Sequence, residues 1–302
     1  MQKIAMIGFG EAGSAFASSI QRPPNMCIVT FDRKTQEAQT RGEILDRASA
    51  CGVDVAETLS DALSDATAIF SLVTADQALA VAEAARKFID PSTLYFDCNS
   101  CSPQNKMKAA ELIDARGALY VDVAVMAPVH PKKHHVPLLV SGVHAQRAVE
   151  FLQQLDMRPS IAGSAIGQAS SIKMIRSIMI KGLEALTAEA MLTAKRAGVT
   201  EQVIASLQAS DPGFDWEKRS AYNLERMMVH GKRRAAEMRE VAQTVHEFGI
   251  DERLASAIAN WQDAIGDLHL KPESDLLEAR AEQILGAMEL TGEGASGECD
   301  LT

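Results

Sequence analysis

Short apolar runs alternate with helical stretches along the first half of the chain. Runs of four to seven residues rich in Val, Ile, Leu and Phe and bounded by turn residues predict buried strands. The predicted strands cover residues 3–7, 27–31, 54–58, 68–73, 94–97, 119–125 and 137–141. Predicted helices over 13–20, 59–63 and 76–87 lie between several of them. This alternation predicts an α/β fold, a doubly wound parallel sheet with helices on both faces.

From about residue 164 onward the pattern becomes wholly helical. Residues 164–196 predict one helix of roughly 50 Å, at a rise of about 1.5 Å per residue, and further helices are predicted over 200–209, 216–248, 251–265 and 273–290. We therefore expect a sheet domain over residues 1–163 and an all-α domain over 164–291. The tail 292–302 is rich in glycine and acidic residues and is expected to be disordered.

Composition narrows the class of protein. The chain has 302 residues, of which 47% are hydrophobic and 23% charged, the balance of a soluble globular protein with two domains. A net charge of −10 argues against nucleic-acid binding, which needs a surplus of Lys and Arg. The apolar runs are strand-sized, so no membrane span is expected. Because the first strand begins almost at the first residue, we expect no signal peptide and a cytoplasmic location.

The cysteines raise two alternatives that we set aside. The five are Cys27, Cys51, Cys98, Cys101 and Cys299. Cys98 and Cys101 form a C-x-x-C, which occurs in redox and zinc sites. A zinc site would need further ligands, and His134 and His135 are adjacent in the chain, which is poor spacing for one metal. A redox pair would precede a helix, which Pro103 could begin. We expect incidental cysteines, no disulfide framework and no metal.

A glycine-rich turn follows the first predicted strand. It reads Gly8-Phe9-Gly10-Glu11-Ala12-Gly13, a G-x-G-x-x-G pattern. Gly8 makes a tight turn, Gly10 lets the backbone approach a pyrophosphate, and Gly13 allows close packing of helix on strand. An acidic residue should follow the second strand about 20 positions later, and Asp32 stands there. The sequence therefore predicts a Rossmann domain that binds NAD or NADP through residues 8–13.

The residues after the second strand bear on the choice of cofactor. The Asp32 carboxylate would accept hydrogen bonds from the ribose hydroxyls and repel the 2′-phosphate of NADP. Arg33 and Lys34 follow at once and could pair with that phosphate. NAD is therefore favoured only modestly. Val73 and Thr74, at the end of the fourth predicted strand, complete the expected cofactor residues of this domain.

Two later segments carry a family resemblance. Residues 97–103, Asp-Cys-Asn-Ser-Cys-Ser-Pro, resemble the D-x-S-[ST]-x-x-P substrate loop of the β-hydroxyacid dehydrogenases and the Asn-Ser loop of the related 6-phosphogluconate dehydrogenases. The resemblance implies substrate binding by Asn99 and Ser100. Residues 167–177 resemble the motif that opens the interdomain helix of this family, and the family's catalytic lysine maps onto Lys173. By the same resemblance Arg233 falls where a late Lys-Asp pair lies near the nicotinamide.

Two departures from the family pattern fall on the substrate pocket. The family's S-G-G turn, which holds the substrate carboxylate, is replaced at 126–131 by Met-Ala-Pro-Val-His-Pro, and proline has no N–H to donate. The asparagine four residues after the lysine is Ser177 here, preceded by Arg176. Arg176 could instead bind a carboxylate with two hydrogen bonds. A branch of the superfamily with an uncharacterised C-terminal domain resembles this chain in these segments, which implies no substrate.

The resemblance implies an NAD(P)-dependent oxidoreductase that acts on a small hydroxy or keto acid or a sugar acid, with Lys173 as general acid and base. Lys181 is a second candidate on the same helical face. A basic cluster of His230, Arg233 and Arg234 suggests an anionic substrate. The alternatives are an imine reductase, whose family often lacks the lysine, and a non-catalytic dinucleotide-binding protein. The family's helical domains also imply a homodimer.

Overall fold

The computed structural model describes residues 2–291. The chain divides into two compact units, residues 1–174 and residues 175–302. The predicted disordered tail and Cys299 lie outside the described residues.

A mixed sheet forms the centre of the first unit. Its strands in the described part of the chain are β1 (Gln2–Ile7), β2 (Met26–Phe31), β3 (Asp54–Val55), β4 (Ala68–Ser71), β5 (Leu94–Asp97), β6 (Leu119–Val125), β7 (Pro137–Ser141) and β8 (Arg158–Gly163). They lie in the order β3-β2-β1-β4-β5-β6-β7-β8. The first six in chain order follow the 3-2-1-4-5-6 arrangement of a doubly wound dinucleotide fold, which confirms the predicted fold class.

The sheet is parallel as predicted, except at one pair of strands. β7 runs antiparallel to β6, while β8 is again parallel to β7. A parallel return needs a crossover of a dozen or more residues, usually with a helix. Residues 126–136 contain only a short 3-10 turn, Lys133–His135, so the chain turns back directly. The resulting register sets Asp122 opposite Ser141 in the sheet.

Helices cover both faces of this sheet. They are α1 (Glu11–Ala17), α2 (Ala38–Ala50), α3 (Leu59–Leu63), α4 (Ala78–Ala85), α5 (Pro103–Asp114) and α6 (Ala145–Gln154). The sequence pattern did not predict α2, since only Ile44 and Ala48 are buried on it. It also did not predict α6 or β8, whose sequence contains Pro159 and small residues. α5 begins where proline is well placed, at its first position, and the Ser102 hydroxyl accepts a hydrogen bond from the Asn105 amide.

Aromatic side chains fill the core on both faces of the sheet. Phe70 and Phe96 stack on one face with ring centroids 4.8 Å apart, and Tyr95 and Tyr120 stack on the other at 5.8 Å. All four are fully buried. Each large buried side chain contributes on the order of 2 kcal/mol by its removal from water.

The second unit is helical. Helix α7 (Gln168–Arg196) begins in the first unit, and α8 (Thr200–Ser210), α9 (Trp216–Glu247), α10 (Arg253–Gly266) and α11 (Leu277–Thr291) follow. These helices agree closely with the predicted ones. α7 starts four residues later than predicted, because β8 runs to Gly163 and Gly167 adopts a left-handed φ of 95°. No helix within residues 2–291 is long and apolar enough to cross a membrane.

Helices α9 and α10 touch through their backbones. A Cβ atom on Gly231 would lie 2.4 Å from the carbonyl oxygen of Gln262 and 2.8 Å from Cα of Gly266. Both neighbours are backbone atoms, which cannot move aside independently. The apolar core of this unit therefore forms around a crossing that only glycine permits at position 231.

We expect Gly231→Ala to destabilise the protein by about 1–3 kcal/mol, because an added methyl overpacks this contact. Gly286→Ala on α11 is the matched control, since no described atom lies within 4 Å of its added Cβ. Alanine there should be neutral or stabilising by up to about 1 kcal/mol. The free energy of unfolding from chemical denaturation measures both changes, and equal effects of the two variants would contradict the role of the crossing.

Candidate active site

The glycine loop between β1 and α1 combines two tightly packed positions with one open position. A Cβ on Gly8, whose φ is 90°, would lie 2.5 Å from the carbonyl oxygen of Leu72, and one on Gly13 would lie 2.6 Å from that of Gly8. At Gly10, in contrast, no described atom lies within 4 Å of the Cβ position. Gly8 and Gly13 are thus required by packing within the protein, whereas Gly10 leaves room for a group that approaches the loop from outside.

Asp32 directly follows β2 and lies beside this loop. Its Oδ2 accepts a hydrogen bond from the backbone N–H of Phe9 at 2.8 Å, and its Oδ1 accepts one from the N–H of Lys34 at 2.9 Å. The carboxylate is therefore fixed against the glycine loop. The exposed Arg33 donates to the side chain of Gln77 at 3.4 Å.

The loops after β1 and β4 leave the sheet where the strand order reverses, which is where doubly wound sheets bind their ligands. Glu11 and Ala12 begin α1 here, and Val73 and Thr74 follow β4. The open space over Gly10 and the carboxylate of Asp32 fit the pyrophosphate and ribose of a dinucleotide. The predicted cofactor residues of the first unit therefore lie together at the carboxyl ends of the central strands.

Asn99 joins two of these loops. Its Oδ1 accepts a hydrogen bond from the Val73 amide at 2.7 Å, and its Nδ2 donates to Ser71 Oγ at 2.9 Å and to Asp97 Oδ1 at 2.7 Å. The residue is 3% exposed. Both N–H donors of the side-chain amide are used, so Asn99 holds the loops after β4 and β5 together. The sequence predicted substrate binding for Asn99 but not this structural role.

Two neighbouring polar groups have no such partners. The Ser100 hydroxyl and the Gln104 side-chain oxygen are buried without a hydrogen-bond partner among the described residues. An unsatisfied buried polar group costs about 1–3 kcal/mol, so both are suited to pair with a bound molecule. Ser100 was predicted to bind substrate, but Gln104 was not. The available signal was its position in the first turn of α5, directly after the loop.

Lys173 lies near the same loop. Burial raises the pKa of the Cys98 thiol to about 12, against the opposing effects of the positive charges on Lys106 and Lys173. The helix that carries Lys173 starts against the end of this loop, since a Cβ on Gly167 would lie 3.2 Å from Cβ of Pro103. The raised pKa keeps this thiol protonated at neutral pH, which is unfavourable for redox chemistry. Cys101 is also buried, and neither of these two cysteines forms a disulfide bond.

A fully buried lysine lies beneath the loop. Lys106 Nζ donates to Asp97 Oδ1 at 2.9 Å and to the Asp97 carbonyl oxygen at 2.6 Å, and it lies 3.4 Å from Asp122 Oδ1. The Tyr120 hydroxyl donates to the other oxygen of Asp97 at 2.7 Å. Burial alone would lower the pKa of Lys106, but Asp97 and its other negative neighbours outweigh burial and raise it. The lysine is therefore charged at neutral pH, and its ion pairs would weaken only above the ordinary lysine range.

Asp122 connects this lysine to helix α7. Its Oδ2 accepts hydrogen bonds from the N–H groups of Gly167 and Ser170 at 3.2 and 3.1 Å, and from the hydroxyls of Ser141 and Ser170 at 3.0 and 3.1 Å. A carboxylate at a helix N-terminus satisfies unpaired amides and complements the helix dipole. Asp122 thereby fixes the start of the helix that carries Lys173.

This network was not predicted from the sequence, although two charged residues in apolar patterns point to it. Asp122 is an acidic residue within an apolar strand. Lys106 precedes Ala109, Ala110 and Ile113 on the buried face of α5, at the spacing of an apolar stripe. A charge on each of two buried faces predicts an ion pair, but not which partners meet.

The second unit contains the remaining predicted residues. Ser177 and Lys181 are buried one turn apart on α7, and Lys181 Nζ donates to Ser177 Oγ at 3.0 Å and lies 3.0 Å from Glu237 Oε2. Burial lowers the pKa of Lys181, although Glu237 favours its charged form. Arg176 is exposed on α7. Arg233, the expected cofactor residue, is an exposed side chain of α9 that pairs with Glu237.

A further buried ion pair in this unit joins Arg234 on α9 to Glu184 on α7. The Gln262 amide on α10 donates to the same carboxylate at 2.8 Å. Of the predicted basic cluster, Arg234 is therefore an internal residue of the helical unit.

The sheet order, the glycine loop and Asp32 define an NAD(P)-binding Rossmann protein with a 3-hydroxyacid dehydrogenase-like fold. Residues 3–153 match the model of the NAD binding domain of 6-phosphogluconate dehydrogenase, and residues 194–265 match a domain of unknown function, DUF1932. The chain belongs to this 6-phosphogluconate dehydrogenase-like NAD-binding family. The family resemblance read from the motifs is confirmed.

Solved structures extend this likeness over nearly the whole chain. A conserved hypothetical protein of Sinorhizobium meliloti is 34% identical, with a TM-score of 0.76 over 95% of this chain and 96% of that one. The 3-hydroxyisobutyrate dehydrogenase of Mycobacterium tuberculosis, solved with L-serine, is 17% identical, with a TM-score of 0.73 over 94% and 99%. A reductive aminase of Aspergillus terreus, solved with NADPH4, cyclohexanone and allyl amine, is also 17% identical, with a TM-score of 0.54 over 94% and 99%.

We expect Lys106→Met to lower the free energy of unfolding by about 3–5 kcal/mol, because it leaves two carboxylates buried without their cation. Arg86→Met is the control, since it removes the surface ion pair with Glu83 and should cost at most about 1 kcal/mol. Chemical denaturation measures both. A Lys106 variant no less stable than the Arg86 variant would show that the network does not hold the fold.

Proposed function

We propose that the protein is an NAD(P)-dependent oxidoreductase that acts on a small hydroxy or keto acid, or on a sugar acid. The observation that carries this proposal is the start of α7, the helix of Lys173, which lies against Pro103 at the end of a loop whose Ser100 hydroxyl is buried without a partner in the described chain. A bound nicotinamide would accept or supply the hydride. L-serine, present with the M. tuberculosis enzyme, is itself a 3-hydroxy acid.

Lys173 is the proposed general acid and base. In oxidation its neutral amine takes the proton of the substrate hydroxyl, and in reduction its ammonium returns that proton to the new alkoxide oxygen. Because α7 starts on the hydrogen bonds of Asp122, the lysine is held by a helix whose first turn is fixed. This arrangement reduces the reorganisation needed to bring the amine to the substrate.

The substrate is held by different groups from those in the wider family. Pro128 and Pro131 cannot supply the backbone donors of the S-G-G turn. We assign part of that role to Ser100, whose hydroxyl can donate to a carboxylate, and to Gln104, whose unpaired side-chain oxygen can accept from a substrate hydroxyl. Arg176 is the proposed cation for the substrate carboxylate, and Ser177 a further substrate contact, as the family motif implies.

We expect Lys173→Met to lower kcat/KM by at least about a hundredfold with a responsive 3-hydroxy acid while cofactor binding is unchanged, since general acid–base catalysis contributes at least that much. L-serine and 3-hydroxyisobutyrate are the first substrates to screen. The matched control is Lys195→Met at the other end of α7, where the lysine pairs with Glu278. Retained turnover in the Lys173 variant would refute its catalytic role.

NAD is the proposed cofactor, because Asp32 is fixed beside the glycine loop where the ribose hydroxyls would lie. Asp32→Asn should reduce the preference for NADH over NADPH by about tenfold, since it removes the repulsion of a 2′-phosphate. Asp46→Asn, on the exposed face of α2, makes the same change in net charge and serves as control. Fluorescence energy transfer from the tryptophans to the nicotinamide measures both affinities. A wild-type preference for NADPH would assign selection to Arg33 and Lys34 instead.

An imine reductase is the second candidate, favoured by the fold shared with the A. terreus reductive aminase and by the loss of the carboxylate-binding turn. Lys173 argues against it, since imine reductases often lack that lysine. Turnover of a cyclic imine with NADPH, without turnover of hydroxy acids, would establish this alternative. Cofactor binding with no turnover of either class, unaffected by Lys173→Met, would indicate a non-catalytic binding protein.

A further inference from the structure

A second cluster of ligand-type side chains lies on the first unit, away from the glycine loop. His134, His135 and Asp156 each offer one ligand atom, and these atoms all lie within 4.8 Å of one another. His134 contacts Ser19, which follows the C-terminal end of α1, whereas Gly10 precedes its N-terminal end. The cluster is therefore separate from the proposed active site.

The surroundings of His134 determine which of its nitrogens carries a proton. The Ser19 hydroxyl donates its single proton to the carbonyl oxygen of Ala15 at 2.9 Å. It must therefore accept from His134 Nδ1, which lies 2.7 Å away. With its proton on Nδ1, the neutral ring keeps the electron pair of its other nitrogen, Nε2. Metal-binding histidines typically have their other N–H held by an oxygen in this way.

The other two side chains place their ligand atoms within 4.8 Å of a ring nitrogen of His134 and of each other. His135 Nε2 lies 2.9 Å from Asp156 Oδ2, and its ring centroid is 3.9 Å from that of His134. Arg158 donates to the other oxygen of Asp156 at 2.7 Å, which orients the carboxylate.

Two imidazoles and one carboxylate are a ligand set that suits Zn²⁺ and its divalent transition-metal neighbours. We propose that His134, His135 and Asp156 form a binding site for one such ion, with water completing its coordination. On binding, the ion replaces the hydrogen bond between His135 and Asp156, and the ring proton of His135 passes through solvent from Nε2 to Nδ1, so that the neutral ring coordinates through Nε2. This site runs against the sequence expectation of no metal, which rested on the adjacency of the two histidines. That expectation did not include Asp156, which follows α6 in the chain and lies beside the two histidines in the fold.

The test is binding of Zn²⁺ by calorimetry and of Co²⁺ by its visible absorption, both with the full-length protein. We expect one equivalent of each to bind, and both His135→Gln and Asp156→Asn to weaken binding at least about tenfold. Both positions are exposed, so these variants should fold. The control is His246→Gln in the second unit, which removes an exposed histidine–carboxylate pair with Glu252 and should leave binding unchanged.

The proposal is overturned if neither metal binds at one equivalent, or if the His135 and Asp156 variants bind as tightly as the wild type. It is also overturned if His246→Gln weakens binding as much as they do. None of these outcomes depends on whether the protein is an oxidoreductase, since no substrate or dinucleotide enters the measurement.

Discussion

The buried ion pair between Lys106 and Asp97 is the interaction on which the rest of the proposed active site depends. Lys106 is fully buried and also lies beside Asp122, so one cation is shared by two carboxylates. One carboxylate holds the loop after β5, and the other holds the first turn of α7. Burying three charges carries a large desolvation cost, which is offset only because nearly every oxygen and proton in the group has a partner. The network therefore sets loop and helix in one arrangement rather than merely adding stability.

This arrangement separates the rigid parts of the site from the parts left open to a ligand. The Asn99 amide and Asp122 Oδ2 are engaged in holding structure, and Asp122 Oδ1 faces Lys106. Ser100 and Gln104, on the same loop and the adjoining helix, carry the unpaired buried groups. A site of this kind is preorganised, since the groups that would meet the ligand sit on elements fixed by other residues. None of the residues that form this frame belongs to the segment 126–131, where the chain departs from the family pattern.

The extent of the sequence prediction follows from how local each constraint is. The glycine loop, Asp32 and the long helices were predictable, because a positive φ, a close backbone approach and an apolar stripe leave their trace within a few residues. β8 was not predicted, because an edge strand with proline carries a weak local pattern. α6 was missed although its buried residues, at positions 145, 148, 149 and 152, follow helical spacing. The antiparallel β7 was missed because strand direction depends on the connection and not on the strand's own composition.

The sequence by itself determined the family, the cofactor loop and the lysine proposed for catalysis, since each rests on a motif of consecutive residues. Only the tertiary structure decided what those residues contact. Lys106 on α5 lies beside Asp122 on β6, and the Asn99 amide hydrogen-bonds to the loop after β4. Asp156 lies near His134 and His135, although a strand and a helix separate them along the chain. Hydrogen bonds and ion pairs act over about 3 Å in space. Folding determines which residues become partners, and residues that are far apart along the chain form no local sequence pattern that would predict the contact.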